Sequence, residues 1–99
     1  MRYVYQYGKT VRTRKMSLVF CDNPKKFTRF AVVVSKKVEK SAVGRNKIRR
    51  RIYEILRINL DKIPKERDYI FVVFSKDVMK MDYKELEKIV GELVEESKV

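Results

Sequence analysis

Two short apolar runs, Phe30 to Val34 and Asp68 to Phe74, bracket a segment whose apolar residues return only at helical spacing, and this limits the possible folds more than any other feature. The first run is nearly continuous and β-branched, as expected of a central strand covered on one face by helices. In the segment between them, a helix advancing about 100° per residue puts Ile48, Ile52, Ile55, Leu56 and Asn59 on one face, with Leu60 at its edge. Pro64 ends that helix or follows its end. Strand, helix and strand in succession make a βαβ unit.

The side of the helix turned away from that packing face is unusual. Asn46, Arg50, Tyr53 and Arg57 recur there, with Lys47 and Arg51 on one flank and Arg49 on the other. Counting from Lys36, the bases up to Arg51 are residues 36, 37, 40, 45, 47, 49, 50 and 51, against one acid, Glu39. Glu54, one turn beyond Arg50 and Arg51, is placed to orient their guanidiniums. A charge run is most often a solvated helix face, but such faces mix signs; this one points to a polyanion that neutralises it. Guanidinium forks bond two phosphate oxygens at once and stack on bases, and the amide of Asn46 both donates and accepts, which suits a base edge or a 2′-hydroxyl.

Charge is also polarised along the chain. The net charge is +12, yet Met1 to Arg51 carries 16 basic and 2 acidic residues while Ile52 to Val99 carries 9 and 11. A binding half and a supporting half within one domain account for this, with nucleic acid the first candidate partner and anionic membrane the second. Ninety-nine residues suit a single domain. With no signal-peptide pattern and no apolar run of membrane-spanning length, a soluble cytoplasmic protein is expected. The sequence has one cysteine, Cys21, and no histidine, which excludes an internal disulfide, the common zinc-finger spacings and the Ser-His and Cys-His nucleophile pairs. No cofactor or metal is expected on the protein itself, and any catalysis belongs to a partner.

The remaining segments read as scaffold. Tyr3, Tyr5 and Tyr7 alternate like a strand, but the last turns of a helix ending at Gly8 fit equally; they offer either a stacking platform for unpaired bases or core packing. Val11 to Cys21 reads as one strand or two, with Met16, Leu18 and Phe20 on one face and Ser17, Val19 and Cys21 on the other. Asp22-Asn23-Pro24 signals a turn, so a hairpin is expected there. Cys21 is read as a small packing residue. Asp82-Tyr83-Lys84-Glu85 has the spacing of a helix N-cap, and Leu86, Ile89, Val90, Leu93 and Val94 follow at helical spacing, predicting a closing amphipathic helix over the core.

Val34-Ser35-Lys36-Lys37, followed by Ala42-Val43-Gly44-Arg45-Asn46-Lys47-Ile48-Arg49-Arg50, resembles the protein subunit of bacterial ribonuclease P and its RNR motif. The resemblance runs on through Val4-Tyr5 to Gly8, Asn23-Pro24, Asp68-Tyr69-Ile70 and the helix after Asp82-Tyr83. It implies an α+β, ribosomal-protein-like fold: a single-domain two-layer α/β sandwich, with a four-stranded, mainly antiparallel sheet and a left-handed βαβ crossover, where general rules favour the right-handed form. It implies an accessory subunit that binds the catalytic ribonuclease P RNA and the 5′ leader of precursor tRNA, while the RNA with Mg²⁺ hydrolyses the phosphodiester. By position, Arg45, Asn46, Lys47, Arg49 and Arg50, with Lys36, Lys37, Tyr53 and Arg57 nearby, are expected to bind the RNA subunit. Tyr5, Val19, Ser35 and Lys36 are expected to line the leader cleft. The first helix is expected to be shortened, with Met1 where relatives often place a cleft aromatic. Val19 falls where the family commonly has an aromatic, Tyr53 where the motif continues with arginine, and one extra residue lies between Lys37 and Arg45. A ribosomal-type RNA-binding structural protein is the alternative, and a DNA- or anionic-membrane-binding module the third reading; the favoured reading has neither DNA nor membrane as partner.

Overall fold

The computed structural model describes residues 8–98. Strands β1 (Lys9–Arg12), β2 (Met16–Asp22) and β3 (Arg29–Val34) precede helix α1 (Ala42–Ile58); a short 3-10 turn (Leu60–Lys62), β4 (Arg67–Val73), a second 3-10 turn (Lys76–Lys80) and helix α2 (Tyr83–Glu96) complete the chain. The strands form one sheet in the order β1-β2-β4-β3, antiparallel at the first two pairings and parallel between β3 and β4. The βαβ unit is therefore present as β3-α1-β4, within a mixed sheet.

Two expectations about strand order are corrected. The hairpin does not follow Asp22-Asn23-Pro24: β2 pairs with β1 before it and with β4 beyond, while β3 lies on the far side of β4. The hairpin is β1-β2, tightened at Thr13, whose hydroxyl accepts from the backbone N–H of Lys15 and Met16 at 3.3 and 3.2 Å. Nor is β3 central; it is an edge strand among the described residues, and Val33 is 41% exposed. The physical reason is a polar anchor at the start of β4. Asp68 accepts from Asn23 Nδ2 on the β2 side and from Arg29 Nε and Nη2 on the β3 side. Asn23 also receives the Lys25 N–H on its side-chain oxygen, and Lys26 adopts a positive φ of 61°. The turn thus carries the chain past the end of β4 instead of folding it back beside β2.

Alternation along the strands separates two sheet faces. Met16, Leu18, Phe20, Val32, Val34, Tyr69, Phe71 and Val73 meet the buried face of α1, formed by Ile48, Ile52, Ile55 and Leu56, and that of α2, formed by Leu86, Val90, Leu93 and Val94. Both helical faces are as the 3.6-residue period predicts. Tyr69 is fully buried, with its hydroxyl donating to the Pro64 carbonyl at 2.6 Å and its ring stacked on Phe30. Burial raises its pKa above the usual tyrosine value. The face away from the helices carries Val19 and Ile70, packed with Cys21, Ala31 and Val72.

Candidate nucleic-acid interface

The motif helix begins at a built N-cap. Ser41 has extended backbone angles, its hydroxyl accepts from Gly44 N–H at 3.2 Å, and its carbonyl accepts from Arg45 N–H. The acid of this segment, Glu39, is turned inward: its carboxylate accepts the Ser41 N–H at 3.1 Å and its stem lies over Gly44. A Cβ on Gly44 would stand 2.6 Å from Glu39 Cγ, so glycine is what allows the loop to close on the helix here. No acidic residue occupies the first turn of α1, so the positive end of the helix dipole is not offset from within the helix.

The nine residues expected to seat RNA divide by what already holds them. Lys36, Lys37, Lys47 and Arg50 are exposed, and their side chains form no hydrogen bond or ion pair among the described residues. Arg45 turns back and donates to the carbonyls of Glu39 and Lys40 at 3.1 and 2.8 Å, clamping the loop to the helix. Asn46 accepts from Arg49 on the helix surface, fixing both side chains. Tyr53 is exposed at the helix middle, with its hydroxyl 3.5 Å from the Phe30 carbonyl.

Glu54 does not orient Arg50 and Arg51, as the spacing suggested. Its carboxylate takes Nε and Nη2 of Arg57, three residues on, and that partner holds its pKa below the usual carboxylate value. Arg51 instead reaches the segment between β4 and α2, donating to the carbonyls of Val78 and Met81. Arg51 therefore braces the fold, and Arg57 reaches solvent already paired.

Of the expected cleft residues, Tyr5 lies outside the described residues. Val19 is 7% exposed at the centre of the helix-free face, with Thr10 opposite it on β1 and Ile70 on β4. Ser35 and Lys36 are exposed just beyond the end of β3, where the loop to α1 begins. The candidate interface comprises the helix-free face and, beyond the end of β3, the 35–41 loop and the start of α1.

Two residues at that end were not singled out by sequence reasoning. Phe74 lies just past β4, its N–H donating to the Lys15 carbonyl, and it is 41% exposed. The guanidinium of Arg12 lies 5.5 Å from its ring centroid. An exposed aromatic capped by an arginine beside a cationic loop can bind a base or a phosphate. Its sequence signal was an apolar run that continues one residue past the end of β4.

A small α+β domain with cations at the start of one helix and on the loop before it that are unpaired among the described residues presents a surface for a polyanion. The ribonuclease P family model matches residues 1–98, and the chain belongs to that family. It is 39% identical over 97 residues to the ribonuclease P protein component of Clostridium botulinum (strain Loch Maree / Type A3), covering 97% of this chain and 86% of that one. It is 35% identical over 101 residues to that of Clostridioides difficile (strain 630), covering 99% and 85%. Among solved structures, a Staphylococcus aureus RNase P protein superposes with a TM-score of 0.85 at 26% identity, covering 99% of this chain and 88% of that one. The Thermotoga maritima RNase P protein, 24% identical over 96% of this chain and 88% of that one, shares the fold with a TM-score of 0.87. The chain is thus a protein component of ribonuclease P, and the ribosomal-type alternative is not favoured.

Proposed function

We propose that this subunit seats the ribonuclease P RNA on Lys36, Lys37, Asn46, Lys47, Arg49 and Arg50 and guides the 5′ leader of precursor tRNA across the helix-free sheet face, past Val19 towards Ser35, Lys36 and the Arg12–Phe74 pair. The observation that carries this reading is the set of unpaired cations on α1 and its preceding loop, with the neighbouring acid Glu39 consumed internally. Four exposed unpaired cations, Lys36, Lys37, Lys47 and Arg50, are free to replace counterions around phosphates, which gives affinity that falls steeply with salt. The Asn46–Arg49 pair adds a rigid polar group able to meet a base edge or a 2′-hydroxyl.

The protein contributes binding and positioning, and hydrolysis belongs to the RNA. Among the described residues no cluster of His, Cys, Asp or Glu is arranged to hold a metal ion. The reading assigns the Mg²⁺ of the reaction to the RNA. Among the same residues no helix is long and apolar enough to cross a membrane, and the reading places the complex in the cytoplasm.

The test adds purified protein to ribonuclease P RNA and precursor tRNA at moderate salt. Faster cleavage and tighter substrate binding are expected, both weakening as salt rises. Unchanged cleavage and affinity overturn the reading.

A further inference from the structure

The turn that carries the chain past the end of β4 holds an aromatic ring out in solvent. Phe27 is 61% exposed, the most exposed aromatic among the described residues. The backbone around it is pinned: the Asn23 side-chain oxygen accepts the Lys25 N–H at 2.9 Å, the Asn23 carbonyl accepts the Lys26 N–H at 3.0 Å, and the Thr28 hydroxyl accepts the Glu66 N–H at 2.8 Å. Lys26 keeps its φ of 61°, a region that residues with a Cβ disfavour. An ordered turn thus presents the ring instead of burying it. Lys25 and Lys26 beside it, and Lys65 on the segment bonded to the turn, are exposed, and their side chains form no hydrogen bond or ion pair among the described residues. Of the acids next to the turn, Asp22 is taken by Arg67 and Asp68 by Arg29, which leaves Glu66 against three lysines.

The turn also lies near the motif helix. The Tyr53 hydroxyl stands 3.5 Å from the Phe30 carbonyl, and Phe27 is three residues before Phe30, about 10 Å away at full stretch. Tyr53 and Phe27 are therefore two exposed aromatics flanking the start of β3, one on the helix and one on the turn before the strand. We infer that the turn is a second RNA contact, in which an unpaired base stacks on Phe27 while Lys25, Lys26 and Lys65 meet the phosphates around it. The contact extends the RNA seat beyond Tyr53 and so rests on the function proposed above. An aromatic face accepts any base, and lysines meet phosphate as point charges. A lipid surface is a poorer match, because Phe27 is the single large apolar side chain exposed on the turn: one ring offers a membrane little area to bury, whereas one base needs no more than one ring.

The full chain is titrated by filter binding against ribonuclease P RNA, and its complex with that RNA against precursor tRNA, over a range of salt. Phe27→Leu should lower affinity roughly fivefold or more, and Phe27→Trp should keep it, because stacking needs a ring and not merely an apolar side chain. Lys25→Ala/Lys26→Ala should reduce the slope of log K on log salt by about 1.4 units, the value for two phosphates of a single strand. Urea unfolding of these variants should match the wild type, since the side chains lie in solvent. A loss confined to the first titration assigns the base to the RNA subunit, and one confined to the second assigns it to the precursor; either supports the contact. Wild-type affinity of Phe27→Leu in both titrations overturns the inference, and weakened binding of Arg50→Glu in the same assay would then leave the seat on α1 standing. A wild-type chain that binds neither RNA overturns both. Unchanged RNA affinity with Phe27-dependent retention on phosphatidylserine vesicles also overturns the inference, by assigning the turn to a lipid surface.

Discussion

Asp68 receives both Nε and Nη2 of Arg29 at 2.7 Å while 97% of its own surface is hidden, so one buried carboxylate joins the start of β3 to the start of β4. Removing the guanidinium leaves that charge with Asn23 as its remaining side-chain donor. Arg29→Met should therefore destabilise the fold at pH 7, because it leaves a hydrogen-bonded charge short of its donors. Arg29 holds the Asp68 pKa below the usual carboxylate value, chiefly through these hydrogen bonds. For a depressed carboxylate the stabilisation is present above the unfolded-state pKa, about 3.9, and is lost as pH falls through the lower folded value. Urea unfolding from pH 7 to pH 3 should show the gap between wild type and Arg29→Met narrowing in the acid; a gap independent of pH contradicts this account.

Arg50 and Arg51 are sequence neighbours with opposite expected phenotypes. Arg50 is exposed and unpaired among the described residues, so Arg50→Glu should keep its circular-dichroism spectrum and its stability within about 0.5 kcal/mol. Its RNA affinity should fall, and the dependence of log K on log salt should lose about one unit of slope. Arg51 donates to Val78 and Met81, so Arg51→Glu should unfold at lower urea concentration. Filter binding and urea titration of the two variants decide it, and matching phenotypes would show that the two side chains are misassigned.

At the head of α1, Gly44 and Glu39 are coupled by contact. Gly44→Ala gains helix propensity but drives a Cβ into the Glu39 stem, displacing the carboxylate that caps Ser41 N–H. In the Glu39→Ala background the clash disappears, and the same substitution should stabilise by roughly 0.5–1 kcal/mol. A double-mutant cycle from thermal unfolding measures the difference; additive effects would show that the contact is not formed.

Features governed by local repetition were legible in the sequence. Ile48, Ile52, Ile55 and Leu56 face the core because a helical period survives any tertiary context, and Asp82 caps α2 by accepting from Glu85 N–H as its spacing predicted. The alternation of Met16, Leu18 and Phe20 likewise survived. Strand order was not legible, because it depends on Asn23, Arg29 and Asp68 meeting across the end of β4, and no local period encodes that. The partner of Glu54 was missed for a related reason: Arg50, Arg51 and Arg57 all lie within one turn, and the choice went to Arg57 while Arg51 was drawn to carbonyls of the segment that leads into α2. At the interface the charge was legible, whereas its division into unpaired cations and structural clamps such as Arg45 was not.

The Arg12–Phe74 pair gives the proposed leader path its sharpest test. Phe74 is only partly buried and lies beyond the strand, so Phe74→Ala should cost little stability. If a leader base stacks on the ring, its loss should weaken precursor tRNA binding by about 1–3 kcal/mol, the usual worth of one base on an aromatic. Mature tRNA, which lacks the leader, should bind the two proteins equally. Arg12→Ala should act in the same direction and by less than additive amounts with Phe74→Ala, because the guanidinium and the ring form one surface. Affinities for precursor and mature tRNA in the reconstituted complex supply the comparison. Equal losses on both substrates would move Phe74 from the leader path to the tRNA body or the RNA subunit.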